Sequence, residues 1–120
     1  MKYNNDFKYD LKVGQVAEER LGDILQNKTI EVKRDLQAIQ TGNIFIEYES
    51  RNKPSGIATT QAHYWCYFIN NSRMFIIETN ELKELTRKYI KTNRNIVGGD
   101  MNSSKGILLP LTDLLNIATQ

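Results

Sequence analysis

The sequence predicts one α/β domain of the α+β kind, a central mixed sheet flanked by helices. Three observations carry this. Residues 13–25 repeat apolar side chains at helical spacing. Four later runs, 29–33, 43–49, 64–69 and 73–78, are alternating or rich in β-branched and aromatic residues, as strands are. Helical spacing returns at 80–91 and again from Thr112, so helices and strands are interleaved along the chain. At 120 residues, 40% hydrophobic and 25% charged, the chain suits a single domain, 1–120, with one core.

The elements follow in order. The polar stretch 1–10 is expected to be frayed or loosely docked. Val13, Ala17, Leu21, Ile24 and Leu25 form the buried stripe of the first helix, with Asp10 as its N-cap. Thr29–Lys33 is a strand, with Ile30 and Val32 on one face. LQAIQTG, 36–42, is a loop ending at Gly42. Asn43–Glu49 is a second strand, placing Ile44, Ile46 and Tyr48 on one face and Phe45, Glu47 and Glu49 on the other. The short loop between these two strands predicts that they pair as an antiparallel hairpin. RNKPSG is a turn segment, and Thr59 or Thr60 caps a short helix to about His63. Tyr64–Ile69 and Arg73–Glu78 are strands joined by Asn70–Ser72. Asn80 caps a helix to Lys91, Gly98 and Gly99 break the chain, Gly106–Leu109 is a short strand, and Thr112 starts a last short helix containing Ile117.

Composition excludes several classes. No apolar run approaches the roughly 20 residues of a membrane span. The start of the sequence, MKYNNDFKYD, lacks the apolar core of a signal peptide. The single cysteine, Cys66, rules out an internal disulfide framework and a cysteine zinc site, and suits a reducing, cytoplasmic compartment. Sixteen basic against 14 acidic residues give a net charge of +2, too small to imply a nucleic-acid partner. The distribution says more. Seven acids lie between Glu18 and Glu49, and six bases (Lys83, Arg87, Lys88, Lys91, Arg94, Lys105) lie between Lys83 and Lys105. This reads either as a solvated helix face or as a carboxylate site beside a phosphate-binding surface.

In the predicted hairpin Glu31, Lys33 and Asp35 share one face with Glu47 and Glu49. Like charges on facing strands destabilise a sheet. Such a cluster suits a divalent cation, and carboxylates suit Mg²⁺. The alternative is a charged edge hairpin balanced by Lys33. On the first helix Glu18 lies about 60° from Leu21, at the edge of the buried stripe, whereas Glu19 lies about 160° away and faces solvent.

These residues resemble the PD-(D/E)XK nuclease superfamily, particularly its small phage-type and Holliday-junction-resolvase-like members. GQVAEERL, 14–21, is similar to the helix bearing the family's first acid, here Glu18. IEVKRD, 30–35, supplies Asp35, and TGNIFIEYES, 41–50, supplies Glu47. KPSGIATTQAHYW, 53–65, resembles the stretch after the active-site hairpin in phage relatives, and the likeness covers about half the chain. The third motif departs from acid-x-Lys: it reads Glu47-Tyr48-Glu49, Lys33 on the adjacent strand is expected to replace the lysine in space, and Glu31-Val32-Lys33 is itself an acid-x-Lys string. The resemblance implies a restriction-endonuclease-like core. It also implies a metal-dependent endodeoxyribonuclease, structure-selective or weakly sequence-specific, working in the cytoplasm of a host cell if phage-encoded. Asp35, Glu47, Glu18 and Glu31 would be its metal ligands, with Mg²⁺ as cofactor and Mn²⁺ as substitute. Glu18, Asp35, Glu47, Lys33 and Glu49 would be its catalytic set. Arg51, Lys53, Ser55, Lys83, Arg87, Lys88, Lys91 and Arg94 would contact the DNA backbone, and a homodimer would span two strands. The rival expectation is a non-catalytic DNA-binding or assembly protein on the same fold.

Other residues read more plainly. The lone His63 is a general-base candidate or a structural residue, the latter favoured. Cys66 and the aromatic run Tyr64, Trp65, Tyr67 and Phe68 read as core. Ser55, Gly56, Thr59 and Thr60 suit either a phosphate or ordinary turn chemistry. Gly98–Asp100 reads as a flexible turn.

Overall fold

The computed structural model describes residues 3–98 and 100–116. Its elements are α1 (Tyr3–Asn27), β1 (Ile30–Arg34), α2 (Ala38–Thr41), β2 (Asn43–Ser50), β3 (Lys53–Pro54), β4 (Tyr64–Phe68), β5 (Met74–Glu78), α3 (Thr79–Arg87), β6 (Asn95–Gly98), β7 (Ser104–Pro110) and α4 (Leu111–Asn116). Short 3-10 turns cover Gly56–Ala58 and Asp100–Asn102. The fold is α+β. Its strands divide between a mixed three-stranded sheet, β1-β4-β5, and an antiparallel four-stranded sheet, β3-β2-β7-β6. No helix among the described residues is long and apolar enough to cross a membrane.

The predicted strands form, but the hairpin does not. β1 pairs in parallel with β4, Ile30 beside Tyr64 and Lys33 beside Tyr67. β2 pairs with β3 and β7 instead. The cause lies in 36–42, which is not a tight turn: it contains α2, closed by Gly42 in the left-handed conformation (φ 76°). That helical turn carries the chain out of the first sheet before β2 begins. Parallel neighbours need a long crossover, and residues 35–63 supply it.

Glu47 and Glu49 do not share the face that alternation predicts. The β2–β7 register is irregular between them: Glu47 lies opposite Gly106, and Glu49 opposite Lys105. Paired residues share a face and successive residues alternate. Gly106 and Lys105 are consecutive, so Glu47 and Glu49 point to opposite faces. The bulge at Tyr48 absorbs the extra residue.

The core joins the two sheets. Ile44, Ile46 and Leu109 of the antiparallel sheet pack with Trp65, Tyr67 and Ile77 of the mixed sheet, and Leu82 of α3 and Ile57 close the ends. Thr86, buried, turns its hydroxyl back to the Leu82 carbonyl within α3. Tyr89, just beyond α3, donates to Asp113 of α4 at 2.5 Å and ties the two helices. Burial and this bond raise its phenol pKa, the hydrogen bond most.

The first helix is longer than 13–25 and begins inside the stretch expected to fray. Its stripe is not covered: Val13, Leu21 and Leu25 are exposed, and Ile24 alone among the large apolar residues named for the stripe is buried. A 25-residue helix is about 37 Å long, and the molecule measures 59 × 30 × 27 Å. α1 therefore runs clear of the sheets before its last turns. Val32, on the sheet face such a helix would cover, is 56% exposed. Sequence periodicity reports an apolar stripe, not what covers it.

Smaller differences are local. Residues 59–63 form an irregular connection rather than a helix, α3 ends at Arg87 instead of Lys91, β3 lies where a turn was expected, and β6 runs up to the expected break at Gly98. Gly99 and Ile117 lie outside the described residues.

Candidate active site

Asp35, just past β1, and Glu47, within β2, line one depression of about 290 Å³. Lys33, Arg34, Phe45, Gly56, Trp65 and Tyr67 complete its wall. Asp35 follows β1 directly. Its Oδ2 accepts the N–H of Phe45 at 3.0 Å, and Oδ1 accepts the N–H of Gln37 at 3.2 Å. Though β1 and β2 share no ladder, this carboxylate links them. These two backbone donors fix the orientation of the carboxylate.

Glu47 is clamped from two other segments. Ser55 donates to Oε2 at 3.0 Å, and Ser104, at the start of β7, donates to Oε1 at 2.7 Å. Two glycines make room around this part of β2. Gly56 sits at φ 55°, where a Cβ would collide with the Glu47 carbonyl oxygen. A Cβ on Gly106 would stand 2.6 Å from the Phe45 ring.

Lys33 stands beside Tyr67 in register, and its ammonium lies 5.7 Å from the centre of the Trp65 ring. Trp65 and Tyr67 are stacked with centroids 6.0 Å apart. The Trp65 indole N–H is buried and has no acceptor among the described residues. Such a donor costs about 1–3 kcal/mol unless an oxygen from solvent or a ligand meets it. Tyr67 donates to the Phe45 carbonyl at 3.4 Å. Its phenol pKa is raised well above the ordinary value, first by burial and then by the negative charge of Asp35, Glu31 and Glu47. Those three acids thus share one electrostatic neighbourhood.

They do not all converge as ligands. Among the described residues no group of three or more His, Cys, Asp or Glu could hold a metal ion. Asp35 and Glu47 remain as a two-carboxylate donor set with free lone pairs on each oxygen. That set fits Mg²⁺, which is usually held by one or two carboxylates and keeps several waters. Glu31 lines an adjoining hollow of about 630 Å³ that also includes Glu47 and Lys33. Glu18 sits exposed on the uncovered part of α1. Glu49 is paired with Lys105 at 3.3 Å, on the sheet face away from Glu47.

The basic residues divide similarly. Arg94 donates to Asn43 Oδ1 at 2.8 Å and to the Leu108 carbonyl at 3.0 Å, and its guanidinium lies over Tyr89, so it braces the fold. Lys88 pairs with Asp113 at 3.5 Å. Arg51 and Lys53 are exposed in the β2–β3 hairpin, where Arg51 and Asn52 both adopt positive φ. Lys83 and Arg87 border a separate hollow beside Tyr48 and Ile90, and Lys91 is exposed beyond α3. Ser55 is engaged with Glu47. Cys66 is buried, which raises its thiol pKa. His63 accepts the N–H of Thr29 at 3.2 Å through Nδ1.

Sequence reasoning missed Ser104, Gly106 and the placement of Trp65 and Tyr67 against the carboxylates. An aromatic strand signals core, and nothing marks which core residues also border a site. No family model, no curated protein and no solved structure matches the chain.

Proposed function

We propose that the protein is a Mg²⁺-dependent endodeoxyribonuclease that hydrolyses DNA phosphodiester bonds, with structure-selective or weak sequence specificity. One observation supports this most: Asp35 and Glu47, distant in topology, line one depression with Lys33. The resemblance to PD-(D/E)XK nucleases rests on the same residues.

A bound Mg²⁺ supplies Lewis-acid polarisation of a phosphate oxygen. Asp35 and Glu47 hold the ion. The Phe45 and Gln37 N–H groups keep Asp35 in place, and Ser55 and Ser104 do so for Glu47. Lys33 carries an ammonium on the same wall and offsets negative charge gained by the phosphate. A homodimer is part of the same proposal; sedimentation that finds only monomer, with and without DNA, removes it.

The test compares wild type with Glu47→Ala on supercoiled plasmid and on a labelled four-way junction, in Mg²⁺ or in EDTA. Cleavage by wild type alone, and only with Mg²⁺, supports the reading. Binding of DNA by both proteins with no cleavage by either favours a non-catalytic DNA-binding protein. One observation already favours that second reading: Glu49, where the motif has lysine, is ion-paired away from the depression.

A further inference from the structure

The depression is the end of a longer trough. The hollow holding Glu31 shares Lys33, Glu47 and Gly56 with it. That hollow in turn shares Thr60, Gln61, Ala62 and His63 with a third, of about 400 Å³. Two lysines line this third hollow, Lys28 from the link between α1 and β1 and Lys83 from α3, with Glu78 as its one acid. The trough thus has Lys28 and Lys83 at one end, and at the other the depression lined by Asp35, Glu47, Lys33 and Arg34, whose guanidinium donates to Asn71 at 3.3 Å.

That order of charge suits a linear polyanion. A strand whose reacting phosphate lies at the carboxylates carries its next phosphates toward the cations. We infer that Lys28 and Lys83 form a phosphate subsite for one strand of nucleic acid, on the side of the site away from Arg34. This rests on the nuclease reading for the role of the middle of the trough. The strand's path then follows 59–63 to Lys28 and Lys83, and the wider Lys83–Arg94 basic segment is not its track. His63 lines the same hollow, its Nδ1 held 3.2 Å from the Thr29 backbone nitrogen and 3.0 Å from the Thr29 hydroxyl.

The experiment measures binding of a fluorescent 20-nucleotide single-stranded DNA in EDTA over a KCl series, with plasmid cleavage in Mg²⁺ run in parallel. Wild type is compared with the Lys28→Ala/Lys83→Ala double variant and with a charge-matched control, Lys12→Ala/Arg20→Ala, on α1. The double variant is expected to bind about 10-fold more weakly near 0.1 M salt. Its log–log salt slope should be shallower by about 1.4, roughly 0.7 for each lost phosphate contact on a single strand. The control should match wild type. An unchanged double variant beside normal cleavage overturns the subsite and leaves the nuclease reading standing. Equal losses in the control also overturn it, because bulk charge then explains the binding. If wild type binds and never cuts, but the double variant loses binding, the subsite stands and the nuclease reading falls. A wild type that neither binds nor cuts overturns both.

Discussion

Ser104 donates a 2.7 Å hydrogen bond to the carboxylate of Glu47 across 57 positions of sequence. The serine is buried and its acceptor carries charge, so the bond belongs to the stronger class, about 1.5–3 kcal/mol. Ser104→Ala is expected to lower stability by about 1–2 kcal/mol in urea unfolding. It should also lower Mg²⁺-dependent cleavage about 10- to 100-fold, as loss of a group that orients a metal ligand does. A variant with full activity would separate the clamp from the chemistry.

The opposed faces of Glu47 and Glu49 give a contrast between neighbouring acids. Glu47→Gln should reduce cleavage by at least about 100-fold, whereas Glu49→Gln should stay within about threefold of wild type. The Glu49–Lys105 pair is partly exposed, and pairs of this kind contribute about 0–1 kcal/mol. Plasmid nicking by both variants under one set of conditions checks this.

Glycine substitutions separate close approach from propensity. Gly56→Ala places a Cβ against the Glu47 carbonyl oxygen in a left-handed conformation and should cost more than about 1 kcal/mol. Gly14→Ala, in α1 with nothing within 4 Å, should stabilise by about 0.5–1 kcal/mol. Thermal unfolding of the two variants should move in opposite directions.

Alkaline unfolding reports on Tyr67. Its folded-state pKa is raised from the ordinary 10.0 by burial and by the nearby carboxylates. Above pH 10 the unfolded chain releases the phenol proton while the folded chain keeps it. The stabilisation is therefore complete below about pH 10 and is lost as pH climbs toward the folded value. The slope from this residue is about 1.4 kcal/mol per pH unit. Tyr67→Phe should show a shallower decline than wild type between about pH 10 and 11.5 in urea titrations. Tyr89, raised mainly by its bond to Asp113, adds a decline present in both proteins.

Arg94 is a brace. Arg94→Ala removes two hydrogen bonds to Asn43 and Leu108 and the stacking on Tyr89, and should cost about 2–3 kcal/mol. DNA affinity measured well below the variant's unfolding temperature should be unchanged.

The α+β class and the positions of β1, β2, β4 and β5 were legible because strand alternation and aromatic runs are local signals. Asp35 and Glu47 were singled out only through the resemblance, from five candidate acids (Glu18, Glu31, Asp35, Glu47 and Glu49). The route of Asp35 and Glu47 to a common depression was not legible. The hairpin inference failed because 36–42 contains a helical turn, and the true partner of β1, Tyr64–Phe68, lies a long crossover away. Alternation along IFIEYES implied that Glu47 and Glu49 share a face, and only the pairing with β7 reveals the bulge between them. Ser104 carries no mark of its role in SSKG, since a serine after a turn is ordinary.

The clamp on Glu47 has a consequence for biosynthesis. The ribosome delivers Asp35, Glu47 and Ser55 early, but Ser104 arrives only after three further strands and α3. β2 gains its longest ladder at the same moment, when β7 pairs with it. Pairings so distant along a chain form late, because a long loop must close first. A nascent chain shorter than about residue 110 therefore holds Glu47 by Ser55 alone, and the two-sided clamp on its carboxylate closes only once β7 has been made.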